Sequence, residues 1–354
     1  MKIGLILPGN IWFCPYVNIY TQIMDKEGIK YDLISWNRDG TDKVNGYQFG
    51  QKLNNLSNPI YKLLSIFRYV AFIKNIVRKN KYNKLIVFGP QIAIFISAFL
   101  NKYYKNRYVF DYRDLSIEQK CIFKRTFKKV LNNSYLNVIS SPGFKKYLPH
   151  GYEYILSHNF NINVVKEVLA NEDKTSICLD RINVLTIGGI RDYSSNIEVV
   201  KSLANKNPFY LEFIGKGVAA DMIKSYAMEH RITNIEFKGY YPKEKEAEYI
   251  RQATFLNIYY PKKPSHDTAL SNRFYNALIY RKPMIVTSDT VQGDYVESYQ
   301  LGLSIENCDS LDNKINEYVE NFDAKLFSAK CNELLLNFLD DYKTFENNII
   351  NFIR

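Results

Sequence analysis

The sequence is poor in the residues that would cross-link it or load it with metal. Five cysteines, Cys14, Cys121, Cys178, Cys308 and Cys331, are scattered over 354 residues with no C-x-x-C pair. Their odd number and spacing argue against a disulfide framework or a cysteine-built metal centre, and for buried thiols. Four histidines, His150, His158, His230 and His266, form no H-E-x-x-H or related pattern, so no metal ligand set is expected. No apolar run reaches the ~18–20 residues of a membrane span, and the opening MKIGLILPGN turns polar too soon for a secretory signal. A cytoplasmic protein is therefore expected. Solenoid-type repeats and low-complexity tracts are also missing.

What is present is an ordinary globular composition, 46% hydrophobic and 23% charged, with an unusual 29 Tyr and 22 Phe. At this length two domains are expected. The formal charge of +11 is uneven: residues 1–170 hold 25 Lys and Arg against 10 Asp and Glu, and the remainder 22 against 26. A basic front half points to nucleic acid, an anionic membrane surface or a phosphorylated substrate, without choosing among them.

The chain is organised around residues 270–289, LSNRFYNALIYRKPMIVTSD. Strand formers at 254–260 precede it and PMIVT at 283–287 follows, which reads as strand, loop, helix, strand. Ser271 is placed to cap the helix, leaving first-turn N–H groups free at the end of the preceding strand. Asn272 and Asn276 lie one turn apart with Arg273 and Tyr280 beside them, while Phe274, Tyr275, Leu278 and Ile279 cover the other side. The polar face is either a solvated helix side or a surface suited to hydroxyls and phosphates.

Short apolar strands recur from the start: KIGLIL at 2–7, breaking at Pro8-Gly9-Asn10; YDLIS at 31–35; LIVFG at 85–89; RYVFDY at 107–112, ending in Arg113-Asp114; NVIS at 137–140; and YILSHN at 154–159. Between them, Pro59–Lys81 and Lys120–Leu131 are basic amphipathic stretches. Each either packs on its own sheet or lies against anionic lipid. Residues 160–176 lose clear periodicity, and a linker is expected there. The second half restarts with NVLTI at 183–187, running into Gly188-Gly189-Ile190-Arg191. LEFI at 211–214 ends in Gly215-Lys216-Gly217, and NIEFK at 234–238 turns at Gly239. Glycines at strand ends let backbone N–H groups approach a phosphate, and a following cation can neutralise it. Residues 311–354 are helical in pattern.

Taken together, VLTIGGIR, FIGKG, IEFKGYYPKEKEAEYIRQATFLNIYY and LSNRFYNALIYRKPMIV resemble the donor domain of GT-B glycosyltransferases. The resemblance is to retaining family-four enzymes of bacterial capsule, exopolysaccharide and lipopolysaccharide synthesis. It covers about 110 residues closely and the front half by architecture alone. It implies an α/β GT-B fold, two Rossmann-like domains facing each other across a cleft, with a C-terminal helix returning to the first. The expected bounds are 1–165 for the acceptor domain, 175–335 for the donor domain and 336–354 for the terminal helix.

The resemblance places Gly188, Gly189, Arg191, Lys216, Ser271, Asn272, Arg273 and Asn276 at the nucleotide diphosphate sugar. Asn276 stands where the family has a Glu for the ribose hydroxyls, Arg281 replaces a Gly, and Thr268 beside Asp267 falls near a second family Glu. Arg191, Lys216, Asp114 and His266 are the catalytic candidates, and Gly9, Asn10, Asp111 and Arg113 the acceptor-side ones. The implied reaction is glycosyl transfer to a lipid-linked oligosaccharide with retention. The resemblance implies no cofactor, and no D-x-D-like carboxylate pair stands out, consistent with transfer without a metal. The expected location is the inner membrane face, against anionic lipid and without nucleic acid. Two other readings stand beside it: a GT-B epimerase of nucleotide sugars, and a non-enzymatic basic protein binding membrane or nucleic acid.

Overall fold

The computed structural model describes residues 1–42, 46–53, 57–171 and 181–354. They form two compact units, Met1–Asn159 with Asp340–Arg354, and Phe160–Leu339.

The first unit contains strands β1 (Lys2–Ile6), β2 (Lys30–Trp36), β3 (Tyr47–Phe49), β4 (Lys84–Phe88), β5 (Tyr108–Tyr112), β6 (Leu136–Ile139) and β7 (Ile155–Leu156). Its helices are α1 (Val17–Lys26), α2 (Pro59–Asn80), α3 (Pro90–Phe95), α4 (Ser97–Tyr103) and α5 (Cys121–Asn133). The strands form one sheet in the order β3-β2-β1-β4-β5-β6-β7, with every pairing parallel. The apolar runs read from the sequence are buried along their length, as strands covered on both faces must be. Phe345, Ile349, Phe352 and Ile353 complete this core, against Ile3, Leu5, Ile86 and Phe88.

Helix α2 packs only part of its basic stretch on the sheet. It starts where the Asn58 side chain accepts from the Ile60 N–H at 2.8 Å, with Pro59 at the first position. From Tyr69 onward it buries Tyr69, Val70, Ile73, Ile76 and Val77. Its first two turns instead expose Ile60 (69%), Leu63 (47%), Leu64 (50%) and Phe67 (50%).

The second unit opens with α6 (Ile162–Ala170) and continues with β8 (Ile182–Gly189), α7 (Tyr193–Leu203), β9 (Phe209–Lys216), α8 (Val218–Glu229), β10 (Ile235–Gly239) and α9 (Glu246–Gln252). Then come β11 (Phe255–Ile258), α10 (Pro264–Thr268), α11 (Asn272–Ile279), β12 (Met284–Thr287), α12 (Val291–Tyr299), β13 (Gly302–Ile305), α13 (Leu311–Glu320) and the first part of α14 (Ala324–Ile353), whose residues from Asp340 on belong to the first unit. The sheet order is β10-β9-β8-β11-β12-β13, again wholly parallel. Both sheets start in the middle and wind outward in two directions, so each has a switch point where the strand order reverses: β1 beside β4, and β8 beside β11.

The linker expected at 160–176 is corrected over its described part. Asn161 caps α6 by accepting from the Asn163 N–H at 3.0 Å, and Ile162, Val165 and Val168 are buried. The remainder of that stretch and Cys178 lie outside the described residues. The units divide at Asn159/Phe160 and within α14 at Leu339/Asp340, where the sequence suggested breaks at 165–175 and near 335.

Candidate active site at the strand ends of the second unit

The switch point of the second sheet is where the expected donor residues meet. Ser271 caps α11: its Oγ accepts from the Phe274 N–H at 3.2 Å and donates to Gln292 Oε1 at 2.7 Å. That start angle sends Arg273 inward, where it is 7% exposed. Its Nε donates to the Ile187 carbonyl at 2.5 Å, one terminal nitrogen to Gly189 at 3.0 Å and the other to Asn257 at 3.3 Å. Arg273 therefore clamps the ends of β8 and β11 together. Three of its five N–H groups go to main-chain carbonyls, and it also offers a ligand positive charge.

The other two cations lie at the ends of the neighbouring strands, Arg191 just past β8 and Lys216 at the end of β9. Lys216 is the register partner of Gly189 across β8 and β9, and Arg191 Nε lies 3.4 Å from where a Cβ on Gly189 would stand. Both are exposed, and Lys216 Nζ lies 5.4 Å from the Tyr240 ring centroid. Gly188 has φ +96°, and a Cβ on it would stand 3.9 Å from the Tyr241 hydroxyl. Close approach explains the neighbouring glycines: a Cβ on Gly215 would stand 1.9 Å from the Gly188 carbonyl oxygen, and one on Gly217 2.0 Å from that of Ile190. The β8 and β9 turns interlock through Ile190 N–H to Lys216 and Ala219 N–H to Ile190.

His266 joins this group through Asp192. The imidazole Nε2 is 4.0 Å from the Asp192 carboxylate, which also receives Lys263 at 3.1 Å, and Nδ1 faces the Pro261 carbonyl at 3.1 Å. Tyr260 lies between His266, at 5.2 Å ring to ring, and the Arg273 guanidinium, at 5.6 Å. Asn272 is exposed and Asn276 half-buried, one turn apart on α11. Thr268 is turned away, its hydroxyl on the Pro264 carbonyl, and Asp267 accepts from the Lys263 N–H. Arg281 adopts φ +49°, the left-handed region that favours glycine, and its buried side chain bonds the Val168 carbonyl and Asn332.

Two residues beside the candidate site escaped the sequence reading. Asn257 donates to Thr186 and Asn196 at 2.9 and 3.1 Å and fixes the Tyr259 N–H, joining β8, α7 and β11 beneath Arg273. Tyr241 donates to Glu246 at 3.0 Å. Burial, with Glu246 adding to it, holds this phenol well above its ordinary range and keeps it a neutral donor. An Asn inside an apolar strand was the available signal for the first.

The acceptor candidates, all in the first unit, meet a different geometry from the one expected. Arg113 grips Asp111 with two bonds of 2.5 and 2.7 Å, Tyr20 donates to the same carboxylate at 2.5 Å, and Arg113 also bonds Ser157. Asp111 is fully buried. Burial works against the Arg113 charge, but Asp111 outweighs it and the guanidinium stays ionised. This pair braces the ends of β5 and β7. Asn10 is likewise occupied, donating to Asn37 and Asp39 and accepting from the Arg38 N–H, with Gly9 packed beside Arg38. Asp114 remains exposed, one oxygen on the Leu115 N–H.

Two doubly wound parallel-sheet units define the GT-B fold class. No family model matches this chain, and no curated protein does. Solved structures match it along its whole length. Sucrose-phosphate synthase from Thermosynechococcus elongatus is similar at a TM-score of 0.70 and 16% identity, covering 99% of this chain and 97% of that one. Anabaena HepE in complex with UDP is similar at 0.69 and 11%, covering 99% of each. WaaG, a glycosyltransferase involved in lipopolysaccharide biosynthesis, is similar at 0.59 and 11%, covering 96% and 95%. At these identities the likeness establishes the fold.

Proposed function

We propose that this protein is a glycosyltransferase that moves a sugar from a nucleotide diphosphate sugar to a lipid-linked saccharide, with retention and without metal, in bacterial surface polysaccharide synthesis. The observation that carries the reading is the placement of Arg191 and Arg273 at Gly189, with Lys216 at the end of the adjoining strand β9. Departure of a diphosphate leaves negative charge on its oxygens, and fixed cations at a strand-end crevice stabilise that charge as it develops. Arg191 and Lys216 are free to contact the phosphates, while Arg273 supplies a buried positive field. The amino ends of α7, α8 and α11 add to it. Asn272 and Asn276 offer amides to sugar or ribose hydroxyls, and His266 beside Asp192 is the nearest imidazole. Supporting this reading, similar folds occur in HepE, solved with UDP and glucose, and in the E. coli trehalose-6-phosphate protein bound with UDP-2-fluoro glucose.

The membrane side of the proposal rests on the first unit. Exposed Ile60, Leu63, Leu64 and Phe67 recur on one face of α2, and Phe67 continues through Phe95 at 5.6 Å to Phe123 at 6.1 Å on α5, beside Ile122, which is 79% exposed. Lys62 and Arg68 on α2 and Lys124, Arg125, Lys128 and Lys129 on α5 accompany it. Apolar side chains with a basic surround suit an anionic lipid surface, where the peripheral enzyme would meet its acceptor.

The test is release of UDP or GDP from a panel of nucleotide sugars, with and without EDTA. Slow EDTA-insensitive hydrolysis supports transfer, interconversion of the sugars supports an epimerase, and neither activity nor nucleotide binding overturns both. Arg191→Ala is expected to weaken nucleotide sugar binding roughly tenfold, whereas Lys62→Ala spares it and reduces sedimentation with phosphatidylglycerol vesicles. Equal effects on donor binding would refute this division of labour.

A further inference from the structure

We infer a second anion site, for a phosphoryl group, at the amino ends of β4 and β5 in the first unit, formed by the end of α2, the end of α4 and the turn before β5. A cavity of about 290 Å³ opens there. Val77, Phe99 and Tyr104 form its apolar floor, and Arg78, Lys81 and Arg107 stand at its rim beside Tyr103. The volume is near the lower end for small-molecule sites, which suits a phosphate ester or a headgroup more than a large cofactor.

The cations are held for a ligand more than for one another. The Arg78 guanidinium lies 5.5 Å from the Phe99 ring centroid and that of Arg107 5.2 Å from Tyr104. A guanidinium resting on an aromatic face keeps N–H edges for an oxyanion. Arg107 gives one of its nitrogens to the Tyr103 carbonyl. Among the described residues none of the three cations has a carboxylate within ion-pairing distance. Asp32, the carboxylate reached through Tyr104 and Tyr82, is already held by Lys2 at 2.6 Å and by the Tyr82 hydroxyl at 2.5 Å.

The sequence has the same character on a larger scale. From residue 43 to residue 110 there is no Asp or Glu, against 12 Lys and Arg. Attraction to the carboxyl end of α2 accounts for Arg78 and its neighbour Lys79, but not for Arg107, which arrives from the turn before β5. Three cations converging on one aromatic-floored cavity repel one another, and an anion between them removes that repulsion. The oxyanion is either free phosphate, alone or on a small metabolite, or the phosphodiester of a lipid headgroup. This site lies wholly within the first unit and does not depend on the donor-site reading.

The experiment is phenylglyoxal modification of the full-length protein, followed at Arg78 by peptide mass spectrometry so that phosphate bound at the donor site does not interfere. Inorganic phosphate, or vesicles of phosphatidylcholine with or without phosphatidylglycerol, are the protecting probes. Phosphate is expected to slow modification of Arg78 severalfold but not that of Arg68. Lys81→Asn, a residue tolerant of the φ +49° at that position, should raise the protecting concentration roughly tenfold, and Lys79→Gln should leave it unchanged. Protection by anionic vesicles alone also supports the site and identifies the headgroup as the source. Absence of protection by either probe, or an equal effect of Lys79→Gln, overturns the proposal by showing only diffuse surface charge.

Discussion

Replacing Gly217 by Ala tests whether the interlocked turns of β8 and β9 hold the cations in place. The added Cβ would stand 2.0 Å from the Ile190 carbonyl oxygen and 2.5 Å from its carbon, both main-chain atoms with no flexible side chain to swing aside. Reaching even the 3.0 Å below which real contacts do not occur requires the Ile190–Arg191 turn to move by about 1 Å. That movement breaks the Ala219 N–H bond to Ile190 and displaces Arg191 and Lys216 relative to each other. Overpacking of this kind costs about 1–3 kcal/mol of stability, and a ~1 Å error in positioning groups costs roughly a hundredfold in rate. The assay is nucleotide sugar turnover with urea unfolding in parallel, using Gly50→Ala as the control, because a Cβ there meets nothing within 4 Å. A Gly217→Ala protein with unchanged turnover and unchanged unfolding midpoint would refute the claim that these turns are tightly packed and that they position the site.

Three other outcomes are expected. Asp111→Asn leaves Arg113 buried without its ionic partner and should lower unfolding free energy by about 3–5 kcal/mol; a loss of activity at unchanged stability would mean that the pair faces substrate after all. His158 is buried with its imidazole pushed below 6.5 by desolvation, partly offset by Asp341 at 2.9 Å. The unfolded state therefore takes up a proton that the folded state resists, and stability falls as pH drops below about 6.5. His158→Gln should flatten that fall in urea midpoints between pH 7.5 and 5.5, and parallel curves would contradict it. Asn276→Glu restores a carboxylate for charge-assisted bonds to a diol and should tighten nucleoside diphosphate binding severalfold by calorimetry; unchanged or weaker binding would remove Asn276 from the ribose.

Much of the scaffold was legible because buried parallel strands are short apolar runs with turn residues at their ends. LIVF, YVFDY, NVLTI and MIVT all carry that mark, and Ser271 announced its helix by capping chemistry. Strands β3 and β13 were not legible: YQF and GLSI are too short and too mixed for period-two alternation to register. Helix α6 shows only Ile162, Val165 and Val168, too few turns to separate from loop. The charges at the candidate site could be listed from the sequence, but their availability could not. Arg273 and Arg191 look alike as letters, and only the carbonyls of Ile187, Asn257 and Gly189 decide that one is a clamp and the other is free. The same holds for Asp111 and Arg113, two residues apart at a strand end, whose mutual bonds and tie to Ser157 cannot be read from the letters.

The chain passes between the two units at Asn159/Phe160 and again within its last long helix, and this sets an order of completion during synthesis. Phe345, Ile349, Phe352 and Ile353 fill the middle of the core that also holds Ile3 and Leu5. The lobe translated first thus keeps an open seam until residue 353 has left the ribosome, after residues 160–339 have all been made. Expression of residues 1–159 alone should therefore yield an aggregation-prone fragment rather than an independent domain.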